Sequence, residues 1–338
     1  MAHDHNRRPQ RARDAHTEVR ELLEGDPTLC RWGASTRLIG SYARDTGRYP
    51  GKDVDVFIRL TELDTSATPK EVYEQVRTVL VGAYGDATDG GRAGPQARSV
   101  KVDFPDEDNP AVEFSVDAVP AVVDGTHWAI PTKDQSRWQN STGRWVTTDP
   151  IGFADLSSTL STASWSPAVA GRNAYKPVVK LLKQVRHVHL GDARPRGLFT
   201  EVAAYDVWNS GQVIGTSWAV LLAQTLRQVA QRFQACGSTG LPDPVLLTAM
   251  QPDLDPQLWL DAGQVFTGLA DDADTALQSE RCAAAAIWRR ILGQNERGQV
   301  LPLPEGCDAN GFPISQISPV TGSGIDEPRG FAVHRQRR

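Results

Sequence analysis

Positive charge is in short supply along this chain. Lys and Arg together number 36 against 41 Asp and Glu, a formal net charge of −5 over 338 residues. That balance argues against a protein whose work is to grip long nucleic acid, and leaves room only for local basic patches of a size to handle a mononucleotide. Lysine is scarcer still, at seven residues, with arginine in its place. The four cysteines (Cys30, Cys236, Cys282 and Cys307) form no C-x-x-C pair. No zinc site of recognisable spacing is therefore expected, and the four read as reduced, buried thiols. No apolar run approaches a membrane span, and residues 1–8 hold no signal-peptide core, so the expectation is a soluble, cytoplasmic protein without a membrane partner. No internal repeat is visible. The length suffices for one large core or two smaller ones.

Two short stretches carry the chemistry. Gly40 and Ser41 end the apolar run of Leu38 and Ile39, and glycine lets a backbone approach a ligand with no Cβ in the way. If Ser41 opens a short helix through Tyr42, Ala43 and Arg44, its unpaired N–H groups point at whatever anion sits there. Further on, Asp53-Val54-Asp55-Val56-Phe57-Ile58 alternates like a strand, with Asp53 and Asp55 on one face and the valines toward a core. Two carboxylates about 7 Å apart along a strand suit hard divalent cations, which also grip phosphate oxygens. A third carboxylate is expected from Asp117. It lies in segment 111–120, where Val112, Phe114 and Val116 share one face and Glu113, Ser115 and Asp117 the other. The partner strand is 99–104, joined through the turn-rich 105–110. Asp103 has the same parity on that strand and is a rival for the third position.

The remaining pattern fits an α/β (α+β) chain, with a small mixed sheet in its first half and helices in its second. Residues 10–25 read as a helix stopped by Gly25-Asp26-Pro27, and 71–80 as a helix entered at Pro69. A glycine-rich loop, 85–94, precedes the hairpin. After Pro150 helices are expected over about 150–165, 172–190, 198–209, 215–235 and 274–293, with a nucleotide cleft between the halves. Three units follow: 1–165, 166–295, and a Gly/Pro-rich end, 296–338, expected to be partly mobile. Arg172, Lys176, Lys180, Lys183 and His187 recur every three or four residues, one helical face whose charges repel unless something anionic neutralises them. His187 and His189 diverge on a helix and read as surface residues. Trp128, Trp138 and Trp145 include candidates for base stacking, though each reads more simply as core.

Taken together, Gly40-Ser41, Asp53-Val54-Asp55 and Val116-Asp117-Ala118-Val119-Pro120 resemble the signature of the DNA polymerase β-like nucleotidyltransferases. Within that superfamily the chain most resembles the bacterial CD-NTases, relatives of cyclic GMP-AMP synthase and the oligoadenylate synthases. Three pieces carry the narrower resemblance: Gly40-Ser41-Tyr42-Ala43-Arg44-Asp45-Thr46, the run from Ile130-Pro131 through Trp145 to Asp149-Pro150, and the basic stretch 172–186. The resemblance implies a polymerase β-like core packed against a helical domain, bilobal with a central cleft. It also implies two Mg²⁺ ions, replaceable by Mn²⁺, on Asp53, Asp55 and Asp117, with Asp117 as a possible proton acceptor. Gly40, Ser41 and Arg44 would line the donor triphosphate, and Lys180, with Lys176 or Lys183 as neighbour, would contact it. The family often has a serine where this chain has Gly197, so Thr200 is the implied substitute. The implied activity is synthesis of a cyclic di- or tri-nucleotide from ATP and a second NTP, in phage defence with an operon-encoded effector or regulator. The alternatives are nucleotidyl transfer to a small molecule or protein, of antibiotic or toxin–antitoxin type, and a non-catalytic NTP-binding regulator. A cationic antibiotic acceptor would want an acidic pocket, and no acidic cluster exists beyond Asp106-Glu107-Asp108.

Overall fold

The computed structural model describes residues 7–49, 51, 53–106, 113–250 and 255–314. The turn at 107–110, the strand residue Val112 and the tail from 315 lie outside these. Five strands form the body of one mixed sheet: β1 (Ala34–Ile39), β2 (Asp53–Asp64), β3 (Ala93–Pro95), β4 (Val100–Phe104) and β5 (Phe114–Asp124), in the order β1-β2-β5-β4-β3. β6 (His127–Pro131) pairs with the end of β5, and β7 (Trp145–Thr148) pairs with β6. Neither was anticipated from sequence. β2 and β5 run parallel, which requires a crossover, and α4 (Pro69–Tyr84) supplies it. These two strands occupy the middle because both their faces are apolar: Val56, Phe57, Ile58 and Leu60 are all fully buried.

One face of the sheet packs on α1 (Arg7–Gly25) and α4, joining Val54, Val56 and Ile58 to Val19, Leu23, Val72, Val76 and Leu80. The chain restarts as α2 (Pro27–Arg31) after the expected stop, because the Asp26 carboxylate accepts hydrogen bonds from the amides of Thr28 and Leu29. The opposite face has a smaller core of Ile39, Phe57, Val119, Ala121 and Ile130. This thinner face carries the acidic residues.

The second half is helical: α5 (Pro150–Thr162), α6 (Tyr175–Leu190), α7 (Gly197–Asn209), α8 (Trp218–Thr239), α9 (Pro256–Gln278) and α10 (Arg281–Leu292). They share a core built on Tyr175, Trp208, Phe233, Trp259 and Phe266. Three expectations are corrected here. The helix expected over 274–293 is two helices, α9 and α10, because Ser279 and Glu280 take extended backbone between them. Arg172 is not on the basic helix. It lies in a short strand, β9 (Arg172–Asn173), paired with β8 (Ala168–Val169), and α6 starts three residues later. The cysteines are not all thiols: Cys282 and Cys307 form a disulfide, while Cys30 is free and exposed and Cys236 free and buried. Two cysteines 25 residues apart give no local spacing signal, and the contact arises only because the segment after α10 folds back on that helix. Among the described residues no helix is long and apolar enough to cross a membrane.

Candidate active site

The β2–β5 register brings the acidic residues together. Asp55 stands opposite Asp117, and Asp53 opposite Ser115, so all three carboxylates project from the same face of neighbouring strands. Ser115 Oγ donates to Asp53 Oδ1 at 3.0 Å. On β4, Lys101 pairs with Asp117 and Asp103 with Ser115. Asp103 thus shares the face but sits one strand further from Asp53. It is 52% exposed and engaged by Lys101 Nζ at 2.7 Å. Strand order thus sets Asp117, and not Asp103, on the strand next to Asp53 and Asp55.

The electrostatics of the trio are unfavourable without a cation. Burial, then the charge of Asp53, raises the pKa of Asp55 to about 6, against the pull of Arg44 and Lys183. Burial, then Asp55 and Asp53, raises Asp117 to about 7, with Lys101 opposing. Asp117 Oδ1 is buried with no hydrogen-bond partner. An all-oxygen donor set with an orphaned buried oxygen and elevated proton affinity fits a hard divalent ion. The three side chains are not already closed around a point. Among the described residues no group of three or more His, Cys, Asp or Glu is placed to hold an ion, as expected of carboxylates that repel one another.

Beside them β1 ends at Ile39 and the chain turns into the one-turn helix α3 (Gly40–Ala43). Gly40 has φ +70°, and a Cβ there would lie 1.8 Å from Asp55 Oδ2. The glycine is needed both for its backbone and for the space that Asp55 occupies. Gly40→Ala should therefore displace Asp55 and lower stability by about 1–3 kcal/mol. A thermal melt showing a lower midpoint checks this.

A buried acid organises the cradle's cations. Glu201 on α7 is fully buried. Its Oε1 accepts from Arg44 Nε at 2.7 Å and Thr46 Oγ1 at 2.5 Å, and its Oε2 accepts from Arg44 Nη2 at 3.2 Å and Lys183 Nζ at 3.0 Å. Burial pushes this carboxyl's pKa up, but Arg44, Lys183 and Thr46 outweigh it and hold the group below its ordinary value. Arg44 also lies over the Phe153 ring at 4.7 Å. The ties run from the loop after α3 to both α6 and α7. Sequence reading did not single out Glu201. The signal available was an acid set among consecutive apolar positions of a helix that is buried almost throughout.

The other expected phosphate contacts sort by geometry. A cavity of about 1050 Å³ is lined by Gly40, Ser41, Arg44, Asp55, Lys183 and Glu201 on its acidic side. Lys180 does not line it and pairs with Asp45 at 2.6 Å. Lys176 does not line it either. Thr200 is fully buried outside it, and the neighbouring Glu201 is the residue that reaches the cavity. Phe57, Val119, Ile130 and Phe153 form apolar walls. Of the three tryptophans considered for stacking, only Trp145 reaches the cavity. Trp138 is core, donating from Nε1 to the Thr132 carbonyl at 2.8 Å, and Trp128 packs edge-on against Phe57. His189 Nε2 lies 2.9 Å from the Ile291 carbonyl oxygen.

Neither protein-family models nor functionally characterised proteins match this chain by sequence. Solved structures match its fold. The CD-NTase CdnG of Bradyrhizobium diazoefficiens, solved with GTP, superposes with a TM-score of 0.60 at 14% identity, covering 83% of this chain and 89% of CdnG. CdnC of E. coli, solved with ATP, gives 0.60 at 16% identity, covering 83% and 91%. The cyclic AMP-GMP synthase DncV of Vibrio cholerae, solved with the linear intermediate 5′ pppA(3′,5′)pG, gives 0.52 at 14%, covering 80% and 72%. The chain has the CD-NTase fold.

Proposed function

We propose that this protein is a nucleotidyltransferase that joins nucleoside triphosphates into a cyclic di- or tri-nucleotide second messenger. The observation that carries the reading is the pairing of Asp55, which lines the cavity beside the Gly40 turn, with Asp117 across parallel strands. The CD-NTase fold and the nucleotides bound by its relatives support it. Residues 1–165 would form the catalytic core and 166–295 the helical part that completes the cleft. Such a product would act in the cytoplasm, in anti-phage signalling through an operon-encoded effector.

Asp53, Asp55 and Asp117 would hold two Mg²⁺ ions, with Mn²⁺ able to substitute. Bound there, the ions supply charge stabilisation at the α-phosphate and a lowered pKa for the attacking ribose hydroxyl. The chain's own residues do the rest. Gly40 and Ser41 let phosphate oxygens approach the backbone, and Lys183 neutralises them, with Arg44 held beside it by Glu201. Asp117, beside the attacking hydroxyl, takes its proton. The apolar walls exclude water that would otherwise compete as the nucleophile.

The test is incubation with labelled ATP, GTP, CTP and UTP and Mg²⁺, then phosphatase and chromatography. A phosphatase-resistant product, absent from an Asp53→Asn/Asp55→Asn double variant, is expected. Label appearing only on an added small molecule or protein would instead establish the acceptor-modifying alternative. NTP binding without any product would establish a non-catalytic regulator.

A further inference from the structure

The loop between the Gly40 turn and β2 is gripped by a hairpin from far along the chain. α10 is followed by β10 (Gln294–Asn295) and β11 (Gly298–Gln299), joined by the two-residue turn Glu296-Arg297. The Arg297 guanidinium lies over the Tyr49 ring, 3.8 Å from its centroid. Burial lowers the pKa of the Arg48 guanidinium and the charge of Glu296 opposes that shift, so this carboxylate stands near Arg48. Both residues of the turn thus meet consecutive residues of the loop that leads into Asp53. The hairpin is itself firmly mounted. The buried Gln184 side chain of α6 donates to the carbonyls of Leu292 at 3.1 Å and Gln294 at 3.0 Å. The Val300 amide donates to the Gly293 carbonyl at 3.0 Å, and Arg289 Nη1 to that of Leu301 at 2.8 Å. Further on, the Cys282–Cys307 bond fastens the chain back to α10.

Asp53 is the carboxylate that needs outside support. β1 pairs with β2 as far as Ile39 against Asp55, so the sheet holds Asp53 on one side, through Ser115 of β5. Asp53 is also exposed, whereas Asp55 and Asp117 are partly buried. Its place therefore depends on the chain that enters the strand. The first part of that loop is tied to the helical half, Asp45 to Lys180 at 2.6 Å and Thr46 to Glu201 at 2.5 Å. The part nearer Asp53 has the hairpin.

We propose that Arg297 is a positioning residue: lying over Tyr49, it fixes the loop that enters β2 and so sets Asp53 beside Asp55 and Asp117 for binding a divalent ion. This rests on the proposed function. Arg297 touches neither substrate nor metal and acts through Tyr49. A cation over an aromatic ring at an exposed site shifts a local opening equilibrium about fivefold. With the contact gone, the loop opens more often, and Asp53 spends less time where it can share an ion with its two neighbours.

The test reads hydrogen–deuterium exchange on the full chain without ligand, and then transfer. Arg297→Gln, at an exposed position, and Tyr49→Leu should each speed exchange in segment 45–49 about fivefold. Exchange in β2, β5 and α6 should stay as it is, and the double variant should add nothing to either single one. Arg297→Lys and Tyr49→Phe keep a cation over a ring and should exchange nearly as the wild type does. In the transfer assay Arg297→Gln should need about fivefold more Mg²⁺ for half-maximal rate. The KM for NTP at saturating Mg²⁺ should hold, because the Gly40 turn and Lys183 are untouched. Unchanged exchange in 45–49, loosening spread through the whole molecule, additive variants or an unaltered Mg²⁺ requirement would overturn the assignment. If the wild type itself yields no product, the functional reading fails, and exchange alone decides whether Arg297 holds the loop.

Discussion

Asp55→Asn should abolish nucleotidyl transfer, slowing it by roughly a thousand-fold or more, and at the same time stabilise the unliganded protein above neutral pH. The first effect follows from the register that sets Asp55 against Asp117: an amide cannot supply the negative charge that a residue holding a hard divalent ion would need. The second follows from the pKa values. Asp55 and Asp117 are raised to about 6 and about 7, so the folded chain holds protons that the unfolded chain releases. Stability from these groups is fully present below the ordinary carboxylate pKa and is lost as pH rises through the two raised values. Asparagine removes one of the repelling charges, for a gain of about 1–3 kcal/mol at alkaline pH. Thermal melts of both proteins in chelator, at acidic and alkaline pH, check this. The variant's advantage should appear only as pH rises, and Mg²⁺ with NTP should raise the wild-type midpoint and not the variant's.

Glu201→Ala should be the most destabilising single change in the cavity wall, by about 3–5 kcal/mol. Arg44 is 3% exposed, and removing its partner leaves a buried guanidinium unpaired while freeing Lys183 and Thr46 from the same carboxylate. Glu201→Gln keeps the shape and one acceptor oxygen, so it should fold with a smaller loss. With the negative charge gone, Lys183 and Arg44 attract phosphate more strongly than they do beside the carboxylate, and metal-free triphosphate should bind this variant more tightly than the wild type. Melting points and calorimetry on the pair separate support of the fold from tuning of the cations.

What the sequence made legible was local and periodic. The alternation through Asp53 and Asp55, the glycine before Ser41 and the acid at Asp117 each depend on spacing within one segment, and the structure sets the two acidic strands side by side with the glycine turn next to them. The competition between Asp103 and Asp117 was not resolvable from parity, because both lie on the same face. It takes the strand order, with Lys101 against Asp103, to separate them. The basic helix shows the opposite limit. Spacing placed five cations on one face, but α6 begins at Tyr175 and Arg172 belongs to a strand. Of the remainder only Lys183 reaches the acid-lined side of the cavity. The contacts of Glu201 with Arg44 and Thr46 bring together residues distant in the chain, so no local pattern marks them. The Cys282–Cys307 bond was hidden for the same reason.

The most direct test of the central claim is to measure what leaves the NTP. Wild-type protein with Mg²⁺ and the four NTPs should release pyrophosphate in step with the nucleotide incorporated, with neither formed in chelator or by Asp117→Asn. Release of orthophosphate in place of pyrophosphate would mean attack at the γ-phosphate and would contradict nucleotidyl transfer at this site.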